Sequence, residues 1–298
     1  MTTVQMRDDS SALDSVDREA LVLPFVEAFP AMNAADQQLA LTLYGLLANG
    51  RPVAAASLAD ALNRRTGEVQ GLLEAWPGVF HDDGRVVGFW GLTVKETPHR
   101  LVVGGTTVYT WCAWDTLWLP ALLGATAQVV SRCAQTGEPV RLRVSPGSVE
   151  SVEPAGVVLS FLKPDVRKLR EHATANFCHF VHFFRDRAAG EQWTGAHPGM
   201  FLLSLEAAFD VGQRVIAARY RDVPLQSPRA TPVLESTLTC PRCAAQRMET
   251  MPTDACLFFW DCPGCGARLK PKPGDCCVFC SYGSVLCPSK QLERGCCA

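Results

Sequence analysis

Eleven of the fourteen cysteines in this 298-residue chain fall between Cys240 and Cys297, and only Cys112, Cys133 and Cys178 come earlier. No other feature limits the fold as strongly, because so many thiols in so short a stretch must either pair or hold metal. Four of them follow a C-x2-C-x18-C-x2-C spacing, Cys240-Pro-Arg-Cys243 and Cys262-Pro-Gly-Cys265. Two such knuckles close a tetrahedral four-sulfur site of the zinc-ribbon kind, with Gly266 supplying the tight turn and zinc the expected occupant. Cys276, Cys277, Cys280 and Cys287 offer a second four-thiol set, which would leave Cys256 spare. Disulfides would need an oxidising compartment, and the polar, acidic start Met1–Asp17 carries no basic-then-apolar export signal. The expectation is a cytoplasmic protein whose residues 239–298 form a metal-binding tail behind a Pro- and Ser-rich linker at 224–238.

The remainder reads as two further regions after a disordered arm at 1–15. In 16–95, Leu39, Leu43, Leu46 and Leu47 recur at helical spacing and stop at Asn49-Gly50. Ser57 is placed to cap a helix through Leu62, and Thr66 one through Ala75, which Trp76-Pro77-Gly78 breaks. Val79–His81 and Arg85–Trp90 flank Asp82-Asp83-Gly84, a hairpin turn. Three helices and a hairpin make a winged-helix-like pattern. Its uses are DNA binding, through Arg64 and Arg65, or a structural or dimerising wing. A formal net charge of −2 does not favour nucleic acid or an anionic membrane as partner, and no apolar run reaches the roughly 20 residues that span a bilayer.

In 96–223, strands are expected at Arg100–Val103, Thr107–Thr110, Gln128–Cys133, Val140–Val144 and Gly156–Leu162. Helices are expected at Cys112–Leu123, Asp165–His172 and Ser204–Tyr220, with an aromatic run at Phe177–Phe184. No βαβ rhythm runs through them, so the fold class is α+β with an antiparallel sheet. Inside this region, Cys112 and Asp115 would share one face of the expected helix, among Trp111, Trp114 and Trp118. Such apolar surroundings push a carboxyl towards its protonated form, ready to give a proton away. The plain alternative is a core helix with a buried cysteine.

The stretch Val108–Leu117 resembles the active-site region of the organomercurial (alkylmercury) lyases. The likeness continues through Pro120-Ala121-Leu122, Ser131-Arg132-Cys133-Ala134, Val144-Ser145-Pro146, Val152-Glu153-Pro154-Ala155-Gly156, Phe177-Cys178-His179 and Val181-His182-Phe183-Phe184. It covers roughly Val16–Tyr220, in one order. The resemblance implies protonolysis of a carbon–mercury bond. By position, Cys112 and Cys178 match the mercury-binding cysteines, Asp115 the proton carrier, and Cys133 a structural cysteine. It implies no organic cofactor, and free thiols that release the product. Family members often carry Cys-Cys where this chain has Cys178-His179, a departure that touches product hand-off. His179 and His182 are otherwise core or hydrogen-bonding residues.

The chemistry asks for the same residue types. Mercury is soft and thiolate is its best side-chain ligand, but each thiol must first lose a proton, which Asp115 can accept and return. An aromatic wall of Trp111, Trp114, Phe177 and Phe180 would exclude water and take apolar groups. The terminal Cys296-Cys297 resembles the C-terminal pair of mercuric reductase, which implies capture of Hg(II) and transfer to small thiols or to a reductase. Two other classes fit parts of the chain: a metal-responsive winged-helix regulator, and a passive thiol-rich scavenger that would not need Asp115.

Overall fold

The structure is a computed structural model that describes residues 17–29, 31–225, 234–252 and 255–291. The expected arm at 1–15, part of the linker, and Cys296 and Cys297 lie outside them. The described residues form two compact units, one ending at 225 and one beginning at 234.

The first unit opens with four helices: α1 (Arg18–Ala28), α2 (Ala34–Leu47), α3 (Ala55–Leu62) and α4 (Thr66–Ala75). The leucine repeat does form α2, whose start is capped by the Asn33 side chain accepting the Asp36 N–H at 2.9 Å. The expected Ser57 cap is not made. Helix α3 starts at Ala55, ahead of Ser57, with no side-chain cap, and α4 follows Arg65 rather than using Thr66 as its cap.

Strands β1 (Val79–Asp82) and β2 (Arg85–Phe89) form the expected hairpin, and β3 (Leu92–Thr93) leads it onward. These strands are not a free wing. They continue into β4 (His99–Val103), β5 (Thr106–Thr110), β6 (Ala127–Arg132), β7 (Pro139–Val144) and β8 (Val149–Glu153) as one antiparallel sheet in the order β1-β2-β3-β5-β4-β6-β7-β8. Successive residues of β6 and β7 alternate strictly between buried and exposed, as a sheet with one face on a core requires. Between β5 and β6 runs α5 (Asp115–Leu123), every residue of it buried. A helix apolar all round belongs inside a core rather than on it.

A second antiparallel sheet has β9 (Val158–Leu162) at its centre, β10 (Phe183–Phe184) on one side and β11 (Met200–Ser204) on the other. Helix α6 (Val166–Asn176), capped by Asp165, and a short 3-10 turn at Cys178–Phe180 connect β9 to β10. The run Phe177–Phe184 is therefore mostly turn, with strand only at its end. Helix α7 (Arg187–Gly195) precedes β11, and α8 (Leu205–Arg219) closes the unit. Helix α8 packs on α1 and α5, tied by Arg18 to Asp210 at 3.2 Å and by the Trp114 indole N–H to the Ala208 carbonyl at 2.8 Å. The buried Gln37 of α2 closes the end of the unit, donating to Asp222 Oδ2 at 2.7 Å and accepting its backbone N–H at 3.0 Å.

The second unit is small. Its strands are β12 (Glu235–Thr239) with β13 (Gln246–Thr250) and β14 (Trp260–Asp261) with β15 (Arg268–Leu269), followed by α9 (Val278–Tyr282) and α10 (Pro288–Gln291). Among the described residues, no helix is long and apolar enough to cross a membrane.

Candidate active site

Cys112 lies in the turn between β5 and α5, not on the helix that was expected to begin there. The helix begins at Asp115, and its first backbone N–H groups have no partner within it. Asp115 Oδ2 reaches back to accept the Cys112 backbone N–H at 3.0 Å and the Cys112 thiol at 3.1 Å. A first-turn carboxylate closing on the preceding turn, rather than a shared helical face, brings acid and thiol together.

Backbone and hydroxyl contacts hold that turn. Thr110 Oγ1 donates to the Cys112 carbonyl at 2.9 Å, and Thr116 Oγ1 to the Ala113 carbonyl at 2.7 Å. The Trp111 N–H donates to Gly91 O at 3.0 Å, and the Ala113 N–H to Val181 O at 3.2 Å. The last bond lays the turn beside Cys178–Phe180. As a result Cys112 Sγ, Cys178 Sγ and an Asp115 oxygen all lie within 4.8 Å of one another, at exposures of 0%, 7% and 4%.

Burial sets the protonation of the trio. It pushes the Asp115 carboxyl up to about 7, against the pull of the Cys112 hydrogen bonds. Burial also drives the Cys112 thiol well above its ordinary value, helped by Cys178 and the Asp115 charge. The hydrogen bond with Cys112 favours the Cys178 thiolate, but burial and Asp115 outweigh it and its thiol too is raised. At neutral pH the thiols are therefore protonated, and Asp115 is poised between accepting and releasing a proton.

The cavity against Asp115 and Cys178 measures about 30 Å³. Of the expected aromatic wall, Trp111, Trp114 and Phe177 line it and Trp118 joins them; Phe180 does not, and packs edge-on to His179. Trp114 sits in an aromatic cage, with ring centroids 4.6 Å from Phe25, 5.4 Å from Phe161 and 6.0 Å from Phe177. Such buried rings each stabilise the fold by about 1.5–3 kcal/mol.

Several lining residues come from distant segments that sequence reasoning did not single out: Phe25, Tyr44, Trp90, Gly91, Arg219 and Tyr220. Arg219 is 9% exposed, its guanidinium 4.1 Å over Phe29 and 4.9 Å over Trp90, with Nε and Nη2 buried without a hydrogen-bond partner among the described residues. Gly91 has a positive φ of 85°, and a Cβ there would stand 2.8 Å from Asp115 Cγ and from Trp118 Cζ2. The only sequence signal for Gly91 was its place after Trp90 at the end of the hairpin.

Cys133 stands apart from the trio, fully buried at the end of β6 with its N–H on Glu138 O at 2.8 Å, which is a packing position. His179 is exposed rather than in the core, and His182 is half-buried edge-on to Trp193. Arg64 pairs with Asp36 at 3.4 Å and with Glu68, so one of the two arginines weighed for DNA contact is engaged within the chain.

In the tail, the sulfurs of Cys240, Cys243, Cys262 and Cys265 lie within 4.8 Å of one another, with Cys240–Cys265 at 3.9 Å and Cys243–Cys262 at 3.5 Å. A tetrahedron with metal–sulfur bonds of about 2.3 Å has edges of about 3.8 Å, so the quartet fits a four-thiolate ion such as zinc. Its two knuckles match: Ala244 N–H bonds Cys240 O and Gly266 N–H bonds Cys262 O, both at 2.9 Å. Cys276, Cys277, Cys280 and Cys287 also come together, and Cys256, set aside by the sequence reading, joins them.

Two family models match the chain: a helix-turn-helix domain of alkylmercury lyase over residues 28–90, and alkylmercury lyase itself over residues 92–217. Together the two models cover most of the first unit and place it in one class, the alkylmercury lyases. Alkylmercury lyases are similar over most of their length. That of Pseudomonas putida is 43% identical over 178 residues, 59% of this chain and 82% of that one. That of Bacillus cereus is 42% identical over 181 residues, 60% and 81% of the two chains. That of Streptomyces lividans is 44% identical over 177 residues, 59% and 80%. The chain belongs to the alkylmercury lyase family. Its fold is also that of a solved structure, the mercury-bound form of MerB2, at a TM-score of 0.56 and 24% identity over 67% of this chain and 97% of that one. Neither family model extends past residue 217, so the thiol-rich tail lies outside both.

Proposed function

We propose that this enzyme cleaves the carbon–mercury bond of organomercurials by protonolysis, with Cys112 and Cys178 as the mercury ligands and Asp115 as the proton carrier. The observation that carries this reading is the 3.1 Å contact from the Cys112 thiol to Asp115 Oδ2, with Cys178 beside both in a buried pocket. Mercury in R–Hg–X takes the Cys112 sulfur as X⁻ leaves, and Asp115 accepts the thiol proton. Cys178 then gives up its own proton to solvent and adds its thiolate, which raises electron density on the carbon. The C–Hg bonding pair takes the proton from Asp115, leaving R–H and a mercury bis-thiolate. The balance is R–HgX plus two thiols giving R–H, Hg bound to two thiolates, and HX. A carboxyl with pKa about 7 suits both halves of that transfer at neutral pH. No organic cofactor takes part, and small free thiols release the product by exchange.

We divide the chain functionally into a winged-helix-like region (16–95), the catalytic region (96–223) and the thiol-rich tail (239–298). In the tail, the Cys240 quartet holds a structural metal ion, zinc by chemistry, as a zinc ribbon does. Cys296 and Cys297 capture product Hg(II) and hand it to small thiols or to mercuric reductase. The reading places the reaction in the cytoplasm, where thiols stay reduced.

The test is anaerobic incubation with phenylmercuric acetate and excess small thiol, with the released benzene quantified. Wild type turns over repeatedly, while Cys112→Ser, Cys178→Ser and Asp115→Ala do not. Stoichiometric mercury binding without benzene would instead identify a scavenger.

A further inference from the structure

We infer that the tail contains a second metal site, made of five thiols rather than four and built for ligand exchange. Cys256, Cys276, Cys277 and Cys287 place their sulfurs within 4.8 Å of one another. Cys280 meets the last three as well, at 3.4 Å from Cys276, 3.7 Å from Cys277 and 3.4 Å from Cys287, while Cys276–Cys287 is 3.5 Å. Two four-sulfur sets therefore share the triangle Cys276–Cys277–Cys287, one completed by Cys280 and the other by Cys256. The separations match the edges of a tetrathiolate site, about 3.8 Å, and exceed the roughly 2.05 Å of a disulfide.

Local structure puts each sulfur there. Cys277 precedes α9 and Cys280 lies within it, so a single turn presents both, with the Cys280 N–H on Cys277 O at 3.1 Å. Cys287 stands before α10, where Lys290 N–H bonds its carbonyl at 2.9 Å. Cys256 comes from a different segment, brought in because the Val278 N–H donates to Leu257 O at 3.0 Å. Behind the sulfurs, Val278 and Phe279 are buried with Cys277 in the small core of the tail. An all-sulfur donor set selects a soft or borderline d10 ion, zinc or mercury, over oxygen-seeking cations.

A tetrahedral ion takes four of these sulfurs and leaves one over. Among the described residues the Cys240 quartet has no such surplus. In the second site the fifth thiol can enter as another leaves, its proton passing to the departing thiolate, so the ion need never drop below four ligands while one sulfur replaces another. Cys280 and Cys256 are the interchangeable pair, and the triangle is fixed.

The experiment counts cobalt(II), a spectroscopic stand-in for zinc, bound by the full chain under anaerobic reducing conditions. It uses a Cys112→Ser/Cys296→Ser/Cys297→Ser background, so that the catalytic and terminal thiols do not contribute. Thiolate-to-cobalt charge transfer and elemental analysis should give two ions per chain. Cys287→Ser should give one. Cys256→Ser and Cys280→Ser should each retain two, with apparent affinity changed less than tenfold, whereas Cys256→Ser/Cys280→Ser should drop to one. A background count in which Cys243→Ser removes all bound ion overturns the second site. Loss of an ion on Cys280→Ser alone, or retention of two in the double variant, overturns the shared triangle. The single variants, still binding two, show that the tail remains folded, so a drop in the double variant reports the site rather than collapse.

Discussion

Asp115→Asn should make this protein more stable while removing its activity, and the gain should depend on pH. Burial raises the carboxyl from 3.8 to about 7, so the folded state holds this proton more tightly than the unfolded chain. Below about pH 4 both states are protonated and the residue costs nothing. Between about 4 and 7 the unfolded chain loses the proton first, and wild-type stability falls as pH rises. Above about 7 the folded carboxyl ionises as well, and the cost is complete. At about 1.4 kcal/mol per pH unit, moving from 3.8 to about 7 corresponds to roughly 4 kcal/mol, an upper bound that relaxation of the pocket reduces. Asn keeps an oxygen to accept the Cys112 N–H but carries no charge to bury. Urea unfolding followed by tryptophan fluorescence at pH 4 to 8, six of the seven tryptophans lying in the first unit, measures the difference. Exposed carboxylates such as Asp82 and Asp165 act equally in both proteins and cancel. A difference near zero at pH 4 that grows to a few kcal/mol at pH 8 is expected. A pH-independent difference, or an Asn variant less stable at pH 8, would refute the argument that burial of Asp115 raises its pKa.

Two further outcomes follow from the geometry. Gly91→Ala puts a Cβ 2.8 Å from the Asp115 carboxyl in a left-handed backbone conformation, so it should cost about 1–3 kcal/mol in thermal unfolding. Displacing the carboxyl from Cys112 should also slow benzene release at least tenfold, equivalent to about 1.4 kcal/mol of barrier. Cys243→Ser should remove one metal ion per chain by elemental analysis, yet leave benzene release in excess small thiol within about twofold, because Cys112, Asp115 and Cys178 all belong to the first unit.

What could be read from the sequence was whatever local chemistry fixes. The leucine repeat of α2, the Asp82-Asp83-Gly84 turn and the two Cys-x-x-Cys knuckles each carry their geometry within a few residues. The missed pieces depend on tertiary placement. Phe25, Tyr44 and Arg219 reach the cavity from three different helices, and nothing in their own neighbourhoods marks them. Strand β8, Val149–Glu153, is an edge strand without full burial on either face, so it lacks the alternation by which a strand is recognised. Helix α7 did carry a signal, the Asp186 side chain that caps Ala189 N–H at 2.9 Å. Cys112 and Asp115 do meet, though not on the common helical face that their spacing suggests: the contact is made across the turn before the helix. Cys256 was set aside because spacing counts knuckles in sequence, while its partners assemble through the Val278–Leu257 bond.

The size of the pocket leads to a last expectation. A cavity of about 30 Å³ holds one or two waters, and the phenyl group of phenylmercury does not fit within it. Room for an aryl group is therefore expected to come from a wall that shifts, and α6 is one such wall. Its helical pattern is interrupted at His172, and of its side chains only Leu169 and Ala173 are buried, both against the cavity. Leu169→Ala should create room where the ring must go, so the strain of admitting a phenyl group falls while methylmercury, already small, gains little. The expected result is a ratio of kcat/KM for phenylmercury over methylmercury at least threefold above wild type, together with a loss of about 2–5 kcal/mol of stability from the vacated core volume. Paired turnover assays on the two substrates, run below the unfolding temperature of the variant, measure that ratio. If it does not change although stability falls, α6 is ordinary packing and the aryl group enters past another wall.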